Sequence, residues 1–127
     1  MPTHKRYEFS VTISPAFVPD QSDVELNRYV FSYTVIITNI GSVAAQVVSR
    51  HWVITDANNN VQEVRGLGVI GLQPLLRPGE HFEYTSSVLV HTPVATMQGS
   101  YQLAAEDGTQ FDTVIEPFTL SMPRVLH

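Results

Sequence analysis

In several segments of this chain apolar side chains recur at every second position. That period fits a β-strand and is incompatible with an amphipathic helix. Tyr7, Phe9, Val11 and Ile13 share one face of the first segment, with Glu8, Ser10, Thr12 and Ser14 on the other, until Pro15 and Pro19 interrupt it. Residues 28–40 repeat the pattern through Tyr29, Phe31, Tyr33, Val35 and Ile37. Residues 46–55 carry apolar side chains on both faces, Val47 and Val53 against Val48, Trp52 and Ile54, as a central strand would. A short strand at 61–65, an alternating one at 80–90 and two more at 97–105 and 110–120 complete the series. Composition agrees: 17 Val, 7 Ile and 11 Thr outnumber the 7 Ala, 9 Leu, 7 Glu and 1 Lys. Branched side chains suit a pleated, half-buried surface.

The turns between these segments carry their own chemistry. Asn39-Ile40-Gly41-Ser42 and Asp56-Ala57-Asn58-Asn59-Asn60 are rich in residues that tolerate left-handed backbone or bond their own main chain. Glu106-Asp107-Gly108 places Asp-Gly between two alternating runs, a strong hairpin signal. About seven strands follow, with no helical periodicity. The expected fold is all-β: an antiparallel two-sheet sandwich of the immunoglobulin or fibronectin type III kind, with a closed barrel as runner-up. At 127 residues with no repeat or linker, the whole chain reads as one domain.

Charge and cysteine content narrow the function classes. Twelve acidic against seven basic residues leave a net charge of -5, which argues against nucleic-acid binding by spread positive charge. Six of the seven basic residues are Arg, suited to a few directed contacts with carboxylate or phosphate. With no cysteine, disulfides, thiolate metal sites and Cys nucleophiles are excluded. The N-terminal residues have no apolar stretch behind them, and no apolar run exceeds three residues where a membrane span needs about 20. The expectation is a soluble, cytoplasmic protein without membrane insertion.

Gly66-Leu67-Gly68-Val69-Ile70-Gly71 fits G-x-G-x-x-G, but the context of a dinucleotide fold fails. Pro74 and Pro78 follow where a long helix would have to start, and no helix–strand alternation exists. Two readings stay open. The glycines serve left-handed backbone or close packing. Alternatively their N–H groups cradle an anion, with Arg65 before the loop and Arg77 after it neutralising charge. His4, His51, His81, His91 and His127 show no zinc-type spacing. A divalent-metal site would need His51 and His81 to meet across strands beside Glu80 or Glu83, and ordinary surface histidines are the expectation. Ser86-Ser87 lies in an alternating strand and not on a nucleophile turn. The pairs Glu80/Glu83 and Glu106/Asp107 fit solvated positions. No catalytic residue, metal site or cofactor is expected, and Trp52 is expected in the core.

Several of these segments together resemble the bacterial ApaG family. They are Arg28-Tyr29-Val30-Phe31 with Tyr33-Thr34-Val35 and Asn39-Ile40-Gly41; the glycine loop running on through Leu72-Gln73-Pro74; and Leu76-Arg77-Pro78-Gly79-Glu80. Tyr84-Thr85-Ser86, Thr92-Pro93, Met97-Gln98-Gly99-Ser100-Tyr101 and the closing Leu126-His127 extend the likeness over nearly the whole chain. The resemblance implies a fibronectin type III-like sandwich. It also implies that Gly66, Gly68 and Gly71 lie in a loop suspected of binding pyrophosphate or nucleotide, and an association with cobalt and magnesium tolerance. It further implies a gene neighbouring that of a dinucleoside tetraphosphate hydrolase, and interaction modules within larger eukaryotic proteins. His51 departs from the family pattern, which often has Tyr there. The functional expectation is a non-enzymatic binding module that takes a phosphate-bearing ligand at Gly66, Gly68 and Gly71 with Arg65 and Arg77. The alternative is a protein-interaction domain whose glycine loop is purely structural.

Overall fold

The structure, a computed structural model, describes residues 5–123; His4, Leu126 and His127 lie outside the described residues. Eight strands run β1 (Phe9–Phe17), β2 (Tyr29–Asn39), β3 (Ala45–Asp56), β4 (Val61–Leu67), β5 (Leu75–Leu76), β6 (His81–Val90), β7 (Val94–Ala105) and β8 (Gln110–Ser121). Short 3-10 turns at Pro19–Gln21 and Val24–Leu26 are the only helical pieces among the described residues. One sheet has the order β1-β2-β6 and the other β4-β3-β7-β8, with the two-residue β5 also pairing with β3. All pairings are antiparallel. The expected two-sheet sandwich is therefore present, and the segment after the three glycines makes a brief pairing of its own, β5.

The alternation seen in the sequence becomes the core. Phe31, Tyr33, Val35 and Ile37 of β2 face inward, as do Tyr84 and Val90 of β6. From the other sheet Trp52 is 2% exposed and meets Tyr33, Tyr101 and Phe118 at centroid distances of 5.3, 6.3 and 6.0 Å. These edge-on approaches are the arrangement aromatic quadrupoles prefer.

Two irregularities depart from the simple alternation. β3 is not apolar on both faces along its length. An extra residue at Val48 shifts its register against β7, so Ala45 and Val47 before it face the same way as Trp52 and Ile54 after it. In β8 a second shift falls at Glu116 and Pro117, moving the inward phase from Ile115 to Phe118 and Leu120. Pro117 has no N–H to give a ladder and fits a bulge on an edge strand. Pro15 likewise does not end β1, which continues to Phe17, because β1 is also an edge strand.

One buried polar side chain joins the sheets. Asn39 is fully buried at the end of β2, and its Nδ2 donates to the carbonyls of Val43 and of Leu76 in β5, both at 2.9 Å. Its Oδ1 accepts from the Gly41 N–H at 2.9 Å. Every hydrogen-bonding group of the amide that faces protein is thus used, and an apolar replacement would strand two carbonyls. Asn39→Leu is expected to cost about 3 kcal/mol. Thermal unfolding followed by circular dichroism should show a midpoint roughly 10 °C lower.

Candidate functional site

The glycine-rich segment is a hairpin that leaves the edge of one sheet and returns to it. β4 pairs with residues 49–55 of β3, ending with Leu67 opposite Ser49. The chain then turns through Val69–Leu72, whose two backbone bonds, Val69 N to Leu72 O at 2.7 Å and Leu72 N to Val69 O at 2.9 Å, close a two-residue loop. Ile70 (φ 42°) and Gly71 (φ 80°) both lie in left-handed backbone, as a type I′ turn demands. The segment rejoins β3 as β5, where Leu76 faces Ala45 and Leu75 faces Gln46. At the Val48 bulge between the two pairings, the Val48 carbonyl accepts from Gly68 N at 2.7 Å and from Gln73 Nε2 at 2.8 Å. The bulge and the protruding hairpin are two sides of one arrangement.

The three glycines of the motif have three different reasons to be glycine. Gly66 belongs to β4 and faces Arg50; a Cβ there would lie 2.8 Å from Arg50 Nη1. Gly68 (φ +60°) presses against the Leu72 carbonyl, where no Cβ fits. Gly71 needs only its positive φ, with open space around it.

The arginines also part company. Arg65 projects from β4, 71% exposed, 4.0 Å from Glu63. Arg77 lies beyond β5 and pairs with Glu80 at 3.9 Å. Arg65 faces His51 of β3 whereas Leu76 faces Ala45, about 20 Å along the strand at some 3.3 Å per residue. Arg65 and Arg77 therefore do not converge on one side of the loop. The cation that does touch the loop is Arg50, whose Nη1 donates to the carbonyls of Leu67 (3.1 Å) and Gly68 (2.9 Å). Sequence reasoning passes Arg50 over because only the β3–β4 register sets it across from Gly66. The loop's N–H groups are partly spent as well: those of Gly68, Val69 and Leu72 bond protein carbonyls.

The remaining candidates separate. His51 lies in β3, 3.7 Å from Glu63, and His81 lies in β6 of the other sheet, so the two do not meet. Among the described residues no group of three or more His, Cys, Asp or Glu side chains is placed to hold a metal ion. No helix among them is long and apolar enough to cross a membrane. Inside the sandwich beside Arg50, the Tyr84 and Tyr101 hydroxyls bond each other. Burial pushes the Tyr84 hydroxyl up to about 12, the bond to Tyr101 pulling the other way. Burial raises Tyr101 further, reinforced by Tyr84.

Two outcomes follow from this geometry. Gly68→Ala is expected to destabilise by about 3 kcal/mol, since backbone must shift. Gly71→Ala should cost only about 1 kcal/mol, the left-handed strain alone; urea unfolding of both variants checks the ratio. The two phenols are neutral below their raised folded values, so their contribution is intact below about pH 10, where unfolded Tyr ionises. Stability should stay level to that point and fall as pH climbs towards 12 and beyond. The thermal midpoint measured across pH 8–12 tests the sign.

Comparison with known proteins matches the same span. The ApaG domain model matches residues 19–105. Protein ApaG of Methylobacillus flagellatus is 67% identical over 127 residues, covering all of both chains. Protein ApaG of Thiobacillus denitrificans is 61% identical over 123 residues, 97% of each. A crystal structure of a Bordetella pertussis protein, 54% identical, superposes with a TM-score of 0.94 over 97% of this chain and 100% of that one. With strand order, glycine hairpin and full-length similarity in agreement, the chain belongs to the ApaG family.

Proposed function

We propose that this protein is a non-catalytic, cytoplasmic binding module that docks a protein partner on the hairpin at residues 67–75. The observation that carries this reading is Ile70. It is a β-branched residue held at φ 42° and 56% exposed, so it strains the backbone and buries little in return. Left-handed backbone costs a branched residue about 1–2 kcal/mol, and such strain concentrates at functional sites. Ile70 has apolar company, for Leu67, Leu72 and Leu75 are 74%, 52% and 51% exposed. Clustered apolar exposure of this kind marks interaction surfaces. The cation-tolerance association that the family resemblance implies would then act through that partner.

A second reading keeps the anion site in reduced form. The N–H groups of Ile70 and Gly71 have no backbone acceptor among the described residues, and exposed Arg65 could supply charge to a phosphate or pyrophosphate group held there. Arg77, paired with Glu80 beyond β5, is left out of this reduced site.

Ile70→Asn places a residue suited to the turn, and is expected to raise stability by about 1 kcal/mol while weakening partner capture. Urea unfolding and affinity capture from cells of the source organism, wild type beside variant, supply the two measurements. Capture unchanged by Ile70→Asn would overturn the hairpin as docking element. Titration with pyrophosphate under amide NMR separates the two readings: saturable shifts at Ile70 and Gly71 favour the anion, and their absence favours the protein partner.

A further inference from the structure

On the inner side of Gly66 the sandwich opens between β4 and β6 into a crevice of about 130 Å³. It is lined by Arg50, Tyr33, Ser86, Trp52, Val64 and Val88 among others. From these groups we infer that the crevice is a binding site for one aliphatic carboxylate.

The argument begins with the hydrogens of Arg50. A guanidinium has five N–H donors and no acceptor. Both hydrogens on Nη1 are accounted for by the Leu67 and Gly68 carbonyls. Nε and Nη2 make no protein bond among the described residues, which leaves the edge of the guanidinium whose two parallel donors match the two oxygens of a carboxylate. The charge is also unmatched. Glu63 pairs with Arg65 and Glu80 with Arg77, but among the described residues no acidic oxygen comes within 4 Å of Arg50. Arg50 is nonetheless half-buried, with the flat of its guanidinium against Gly66.

The rest of the lining selects among anions. Tyr33 and Ser86 bring hydroxyls, and no acidic side chain lines the crevice. Trp52, Val64 and Val88 bring apolar wall, which favours a singly charged group on a short hydrocarbon stem over a doubly charged phosphate. The volume matches that of about four waters, enough for an acid head and its stem and too little for a nucleotide. The same chemistry is offered by a free short-chain acid and by a glutamate side chain of a bound protein.

Trp52 is the chain's one tryptophan, so its indole N–H resonance is assigned without ambiguity, and it belongs to a residue that lines the crevice. The experiment titrates the full chain with propionate while recording that resonance and the Arg50 Nε–H, with sodium chloride and propionamide as controls. Both signals should shift saturably in the millimolar range with propionate alone. N-acetylglutamate amide as a further arm assigns the source: binding comparable to propionate supports a partner's side chain, and propionate binding alone supports a free acid. In Arg50→Lys, which keeps the charge and loses the fork, affinity should fall at least about tenfold. Should that variant fail to fold, the wild-type titrations decide alone. Shifts no larger than those with sodium chloride, equal shifts with propionamide, or tighter binding of inorganic phosphate than of propionate would each overturn the proposal.

Discussion

The amide of Asn39 is the fully buried side chain that fixes how the two sheets of this sandwich meet at one end. Burial of apolar faces holds the sheets together but is non-directional and tolerates sliding. Three hydrogen bonds from a fully buried amide do not. They tie β2 to the 41–43 turn and to β5, and β5 in turn holds the first residues of β3. The position of the glycine hairpin follows, since the chain must leave β3 at Gly68 and be back beside it by Leu75. The site is thus hung between a buried amide at one end and a strand bulge at the other.

Much of this was legible in the residues because it is local. The two-residue period places β2 and β6 within a residue at each end and β7 from Met97 onward, three residues after its start, and Trp52 and the Tyr29, Phe31 and Tyr33 series lie in the core. Gly108, at φ 91°, sits in the Asp-Gly hairpin where turn chemistry puts it. Asp56 accepts from the amides of Asn58 and Asn60 as an Asx turn should. What was not legible depends on pairing between distant segments. The Val48 bulge is a mismatch between β3 and β7, and in β3 alone its phase switch from Val47 to Trp52 reads as a strand apolar on both faces. In the sequence Pro15 reads as a terminus because a proline halts a central strand, and only the sheet order reveals β1 as an edge.

The glycine motif illustrates the same division. Spaced glycines invite one explanation for all three, yet each answers a different neighbour: a guanidinium, a carbonyl and a backbone angle. Arg65 and Arg77 flank the loop in sequence, whereas Arg50, sixteen residues upstream of Gly66, is the one in contact with it. Proximity along the chain is a poor guide to charge around a hairpin, because the sheet register and not the loop sets what lies beneath it.

Pro15 and Pro117 have a bearing on self-association. They lie in β1 and β8, the outermost strands on the side of the sandwich where those two strands pack against one another. A strand adding to either edge meets a missing donor and, in β8, a bulge, which are the devices by which sheet proteins resist open-ended polymerisation. β4 and β6 on the opposite side contain no proline and are bridged by the bond from Gln62 Nε2 to the Leu89 carbonyl at 3.2 Å. The molecule is therefore polarised: one flank is closed to strand addition by its covalent chemistry, and the edge strand β4 on the other carries no proline to block it.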